Sequence, residues 1–245
     1  MARASDRRRF LESTAAFAAL VAVRPGFAFS ANPPARVITF SALPLRGALV
    51  DRFKLAADAG FSGVEMTAVE DPAEVERIRD AAGRTGVGVR SVFTPGLDGL
   101  TTALRNAHAW GASVVVIGQV ASASGTTYQD AWNRSQTVIR EGFLPQAREL
   151  NVVLAIEQVW DGFVLGPHEV ARYVDAFESP LVKASFDMSR TLFYARPPDW
   201  IRTFHTRLVN VRGRAADLES VESRDALREI AYAGFVTTNV PGAGS

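Results

Sequence analysis

The sequence predicts a single-domain (β/α)8 TIM barrel, and three observations carry that reading. From residue 36 onward, short apolar, β-rich runs alternate with segments of helical periodicity. Eight such runs can be counted. The length of 245 residues suits one barrel, a fold that commonly takes about 250. Alternation of this kind builds a parallel sheet, because each crossover returns the chain to the same edge.

The strands are expected near 37–41 (VITFS), 63–67 (GVEMT), 87–93 (VGVRSVF) and 113–118 (SVVVIG). Four more are expected near 152–157 (VVLAIE), 181–187 (LVKASFD), 207–212 (RLVNVR) and 234–240 (GFVTTNV). Near-continuous apolar runs such as VVVIG suit parallel strands covered on both faces. Between them, residues 48–59 have helical spacing and stop at Gly60, and Asp71-Pro72 opens the next helix with proline in its first turn. Residues 126–150 form the longest helical stretch, with an interruption expected at Pro145, and Pro197-Pro198-Asp199-Trp200 opens another helix. An open doubly wound sheet is the alternative, but no glycine-rich dinucleotide fingerprint follows the first strand. After the eighth run only Pro241-Gly242-Ala243-Gly244-Ser245 remain, so the last helix of the barrel is missing from the pattern. The apolar face left open there is expected to be covered by the linker at 31–35 or by another chain, as in a homo-oligomer.

Residues 1–30 read as an address and not as structure. Arg7-Arg8-Arg9-Phe10-Leu11 has the form of a twin-arginine signal, an apolar run follows from Ala15 to Val23, and Ala28-Phe29-Ser30 supplies the small residues of a cleavage site. That run is too short and alanine-rich for a stable membrane span, which needs roughly 20 apolar residues. The expected organisation is a signal peptide over 1–30, a linker over 31–35 and the barrel over 36–245, with the mature protein periplasmic or extracellular. The leader holds five basic and two acidic residues, which leaves the rest slightly acidic at 22 basic and 24 acidic. Nucleic acid is therefore not an implied partner. The chain has no cysteine, which excludes disulfides, thiolate metal sites and thiol catalysis.

In such barrels the site forms at the C-terminal ends of the strands. Side chains alternate along a strand, so parity selects those that face inward. Glu157 ends the fifth run in step with Val153 and Ala155; Asp187 ends the sixth in step with Ser185. Asn210 lies on the seventh, with Leu208 and Arg212 expected on its face, and Asn239 lies on the eighth in step with Thr237. A carboxylate that ends an apolar strand is costly unless it is paired, metal-bound or wet, and the bland account is that each caps the next helix. Trp160, Phe163, Phe193 and Tyr194 fall near the same mouth, where they either stack on a sugar face or pack the core. The three histidines, His108, His168 and His205, fall in helical segments and are expected to be structural or solvated.

The segments Leu154 to Trp160, Phe186-Asp187-Met188, Leu192 to Ile201, Gly63 to Met66 and Ala233 to Val236 resemble the xylose-isomerase-like barrels over roughly residues 36–242. The branch they resemble is that of the sugar phosphate isomerases and epimerases, hydroxypyruvate-isomerase-like or tagatose-epimerase-like. The resemblance implies one divalent metal (Mg²⁺, Mn²⁺ or Zn²⁺) held by Glu, Asp, His and Glu from strands five to eight. It also implies proton transfer through an enediolate on a small sugar or hydroxy-carbonyl compound. Glu157 matches the first Glu and Asp187 the Asp, whereas Asn210 stands at the His position and Asn239 at the last Glu. Asparagine is at most a weak oxygen ligand and never a general base, so the metal is expected to be weakened or absent. Two-base epimerisation loses one of its bases, while a one-base isomerisation through Glu157 is retained. The missing histidine also disfavours the zinc site of the related endonuclease-IV-type repair enzymes. Arg190 and Arg212 stand beside the altered positions, as substrate-binding groups, as cations that pair with Asp187 and Glu157 in place of a metal, or as solvated rim arginines. Two functions are compatible with this pattern: an exported isomerase or epimerase with Glu157 as base, or a non-catalytic sugar- or protein-binding barrel.

Overall fold

A computed structural model of the chain describes residues 35–43, 47–121, 125–157, 163–164, 166–191, 195–213 and 235–238. Eight parallel strands close into a barrel in chain order. They are β1 (Ala35–Thr39), β2 (Gly63–Thr67), β3 (Gly88–Gly96), β4 (Val114–Gln119), β5 (Val153–Glu157), β6 (Val182–Asp187), β7 (Leu208–Gly213) and β8 (Phe235–Thr238). Closure is made by β8 against β1, with Val37 opposite Thr237. The predicted strands are all present, with ends shifted by a few residues. Residues 239–245, where the pattern leaves no room for a last helix, lie outside the described residues, as do the leader and most of the linker.

The helices start and stop for local reasons. Helix α1 (Leu49–Asp58) ends ahead of Gly60, whose φ of +78° turns the chain toward β2. Helix α2 (Pro72–Thr85) is capped by Asp71, whose carboxylate accepts from the Ala73 amide at 2.9 Å. Helix α3 (Leu100–Trp110) follows β3 after a single 3-10 turn. Helix α4 (Tyr128–Thr137) passes through a π turn at Val138–Phe143 into α5 (Leu144–Glu149). The Leu144 amide there reaches back to Ile139, one residue further than in an α-helix. The wider turn lets the helix continue through Pro145, which has no amide to donate. Helix α6 (Pro167–Asp175), the short α7 (Met188–Thr191) and α8 (Pro197–Phe204) complete the described set.

Two apolar cores result. The larger lies between strands and helices and includes the stacked Phe186 and Trp200, with ring centroids 5.4 Å apart. The smaller is the plug inside the barrel: Val37, Val114, Val116 and Ala155, with Phe93 and Val153 against it. On β5 the predicted parity holds, since Val153 and Ala155 enter the plug while Leu154 and Ile156 enter the outer core. On β7 it needs correction. The register slips between Ala184 and Ser185, so Leu208 and Asn210 pair with consecutive β6 residues and Val209 is an extra residue. Leu208 therefore packs in the outer core and Val209 against the plug, while Asn210 and Arg212 still point inward.

Candidate functional site

Above the apolar plug the barrel interior turns polar. Glu65 from β2, Ser91 from β3, Glu157 from β5, Ser185 and Asp187 from β6, Asn210 and Arg212 from β7 and Thr237 from β8 are all buried. Glu157, Asp187, Arg212 and Thr237 sit toward the C-terminal ends of their strands, where a barrel presents its chemistry, and Glu65, Ser91, Ser185 and Asn210 lie mid-strand below them. On β5 and β6 Glu157 and Asp187 are delivered by strand alternation, which sends Ile156 and Phe186 into the outer core, whereas on β7 the bulge at Val209 sets Asn210 and Arg212.

Arg212 is the hub. Its guanidinium donates to Glu65 Oε1 at 2.6 Å and lies 3.5 Å from Glu157 Oε2. The second oxygen of Glu65 accepts from the Ser91 hydroxyl at 3.0 Å, so Glu65 is engaged on both sides. The guanidinium also lies over the Phe93 ring, 5.2 Å from its centroid. Gly118 makes room for that ring, because a Cβ there would stand 3.0 Å from Phe93 Cζ. Burial works against the charge of Arg212, but the carboxylates of Glu157, Glu65 and Asp187 outweigh it and raise its pKa.

Glu157 is in the opposite condition. It is buried, and neither carboxylate oxygen has a hydrogen-bond partner among the described residues; the same is true of Arg212 Nε. Burial pushes its pKa up to about 7, against the pull of Arg212 and with help from the charges of Asp187 and Glu65. A carboxyl so placed exchanges its proton near neutral pH. Asp187 is occupied differently. Its Oδ1 accepts from the Ser189 amide at 2.9 Å, and its Oδ2 lies 3.4 Å from Arg190 Nε. It therefore caps α7, which is the bland role open to a carboxylate at a strand end. Burial raises its pKa, opposed by Arg212, Arg190 and the backbone amides of Ser189 and Arg190.

Of the residues singled out from the sequence, the fold brings Glu157, Asp187, Asn210 and Arg212 to one interior, with Arg190 at its rim and 45% exposed. Arg190 meets Asp187 through one nitrogen at 3.4 Å, and Arg212 stands 3.5 Å from Glu157. The short contact of Arg212 is to Glu65, a residue that the sequence marks only as part of a resembling segment. Asn210 is tied into the barrel wall: its amide donates to Ser185 at 3.2 Å and its oxygen accepts from Thr237 at 3.0 Å. Trp160, Phe193, Tyr194 and Asn239 lie outside the described residues. Phe163 is a packing residue, buried in a cluster with Tyr128, Trp132 and Tyr173 at centroid distances of 5.0, 6.2 and 5.8 Å. His108, His168 and His205 are exposed on the helical layer.

The described donors do not fit the divalent metal that the resemblance implied. A guanidinium occupies the place next to Glu157, Asn210 spends its oxygen on Thr237, and Asp187 caps a helix. Among the described residues no group of three or more His, Cys, Asp or Glu could hold a metal ion. No helix among them is long and apolar enough to cross a membrane.

The same barrel is found in solved structures. An AP endonuclease of family 2 from Brucella melitensis superposes with a TM-score of 0.69 at 17% identity, covering 86% of this chain and 95% of its own. A D-psicose 3-epimerase with D-tagatose from Clostridium cellulolyticum H10 gives 0.71 at 15%, covering 83% and 84%. A xylose isomerase-like TIM barrel protein from Mycobacterium smegmatis in complex with magnesium gives 0.65 at 15%, covering 89% and 93%. At such identities the likeness is one of fold. No curated protein matches the sequence. The profile of the xylose isomerase-like TIM barrel family matches residues 53–242, which takes in β2 to β8 and every described polar residue of the barrel mouth. With that match and a closed eight-stranded barrel of the same order, the chain belongs to the xylose isomerase-like TIM barrel family.

Proposed function

We propose that this protein binds a small sugar or hydroxy-carbonyl compound at the C-terminal mouth of the barrel and moves a proton on it in an isomerase-type reaction, with Glu157 as the base. One observation carries the reading. Both oxygens of Glu157 and Nε of Arg212 are buried beside each other without hydrogen-bond partners among the described residues. Orphaned buried groups of this kind are costly unless a ligand meets them. A hydroxyl donating to Glu157 and a carbonyl accepting from Arg212 is the complement of that set.

The chemistry then needs few parts. Glu157 takes the proton from the carbon that bears the hydroxyl, next to the carbonyl. The electron pair moves to the carbonyl oxygen, and the guanidinium of Arg212 stabilises the enediolate that forms. Return of the proton to the former carbonyl carbon, with the enediol hydroxyl proton moving between the oxygens, interchanges carbonyl and alcohol. A single base serves both transfers on one face of the substrate. Epimerisation would need a second group on the other face, and the sequence has Asn239 where the resemblance implied a carboxylate.

The test is proton exchange. Mature protein in D2O with a panel of small aldoses, ketoses and hydroxy-carbonyl compounds is expected to put deuterium on the carbon beside the carbonyl, read by NMR. Glu157→Gln is expected to lower the rate by about 10²–10⁴-fold, the usual weight of a positioned acid–base group. No exchange with any compound would remove the reading. The second reading, a barrel that binds a sugar without turnover, draws on the neutral Asn239 and is recognised by calorimetric binding with no exchange. We place the protein outside the cytoplasm, on the strength of the leader at residues 1–30. Pairing of two copies over the outer face of β8 belongs to the same proposal, and light scattering on the mature chain reads it.

A further inference from the structure

We propose that Arg212, clamped by Glu65, is a tethered cation that takes the place of a divalent metal in this barrel and keeps such a metal out. This role is one of charge, and it holds whether or not Glu157 turns a substrate over.

Three carboxylates, from Glu65, Glu157 and Asp187, act on one buried guanidinium. Its terminal nitrogen lies between Glu65 and Glu157, at 2.6 and 3.5 Å. A divalent ion with carboxylate ligands would stand in that same interval between the two side chains. The guanidinium is not a loose neighbour that could swing aside. Glu65 accepts from its terminal nitrogen and is itself fixed by Ser91. Phe93 lies under its plane, and the missing side chain of Gly118 lets Phe93 lie there. Glu65 is thus a positioning residue, since it acts through Arg212. Asn210, the remaining place where a ligand was expected on β7, is tied to Ser185 and Thr237.

Without the guanidinium, Glu65 and Glu157 would be two buried carboxylates lacking a counter-charge, which is costly. They would regain balance by taking up protons or a cation. Arg212→Ala therefore turns the place of the guanidinium into a cation site, and Arg212→Lys, which keeps a charge there, does not.

The experiment is a Mn²⁺ titration of the full mature chain near pH 7.5, followed by electron paramagnetic resonance and calorimetry. Wild type and Arg212→Lys are expected to leave Mn²⁺ free. Arg212→Ala is expected to take up one Mn²⁺ per chain, and adding Glu65→Gln to weaken that uptake by about tenfold or more, the effect of losing a carboxylate ligand. A wild type that binds one equivalent of Mn²⁺ and loses it on Glu157→Gln overturns the proposal. So does a folded Arg212→Ala that ignores the ion. Should Arg212→Ala fail to fold, the wild-type and Arg212→Lys titrations still decide, because uptake by either contradicts a guanidinium that bars the metal. Absence of substrate proton exchange leaves every one of these titrations readable, so the two proposals fail separately.

Discussion

Glu157 is asked to be charged and to be dry, and these demands oppose each other. Its ordinary value of 4.5 is raised to about 7 by burial. A raised carboxyl weakens the fold wherever the unfolded chain would release the proton and the folded one retains it. Near pH 4 and below, both states hold the proton and Glu157 adds no penalty. Between about 4.5 and 7 the penalty grows, and above 7 it is complete at roughly 3 kcal/mol. Glu157→Gln is therefore expected to be more stable than wild type in urea at pH 8, with the advantage shrinking to nothing as the pH falls to about 4.5. The same variant loses proton exchange. Equal stability of the two at pH 8 would show that the carboxyl is not strained by burial. Glu157 was legible in the sequence because it ends an apolar run, and Arg212 because it is in step with Asn210. Glu65 was not, because its partner stands 147 residues away and a Glu inside GVEMT looks like any strand residue. The signal available was its parity with Gly63 and Thr67, which puts it on the inner face of β2.

At the scale of elements, β7 shows how one extra residue changes a site. The bulge at Val209 lets Leu208 stay in the outer core while Asn210 and Arg212 both reach inward. Simple alternation from Leu208 gives the right face for the two polar residues and the wrong one for Leu208 itself. Bulges cannot be read from alternation, because they are set by pairing with the neighbouring strand. The π turn before Pro145 is the converse case: an interruption legible from proline, whose form depends on the helix keeping its course. Besides the backbone ladder, a chain of side chains from Ser185 through Asn210 to Thr237 links β6, β7 and β8. Thr237→Val keeps the shape and removes the donor to Asn210, so the buried amide oxygen is left alone. That is expected to cost about 1–3 kcal/mol in denaturant unfolding. Thr237→Ser, which keeps the hydroxyl, is expected to cost clearly less. Equal losses for the two would mean that packing of the methyl group matters and the hydrogen bond does not.

For the whole molecule, the division of labour along the barrel axis was largely legible. Length, strand count and alternation point to the closed parallel barrel, because each strand carries its own hydrophobic pattern whatever its partners do. The polar mouth was half legible, since it is assembled by closure, which brings β7 opposite β2. The remaining whole-chain proposal is that this barrel is exported by the twin-arginine route. A chain with no cysteine forms no disulfide after export, so its fold can be complete before transport. A twin-arginine leader serves such cargo, and Arg7-Arg8 with Phe10-Leu11 is the part that would be recognised. Replacing Arg7 and Arg8 together by Lys keeps the charge of the leader and removes that recognition. The precursor is then expected to remain uncleaved in the cytoplasm, while wild type is recovered outside it and shortened near Ser30. The barrel of the retained precursor should melt at the temperature of the mature protein, because the described polar residues of the mouth all lie at and beyond β2. Export that survives the double replacement would assign the leader to another route, and a lower melting temperature would tie the leader to the stability of the fold.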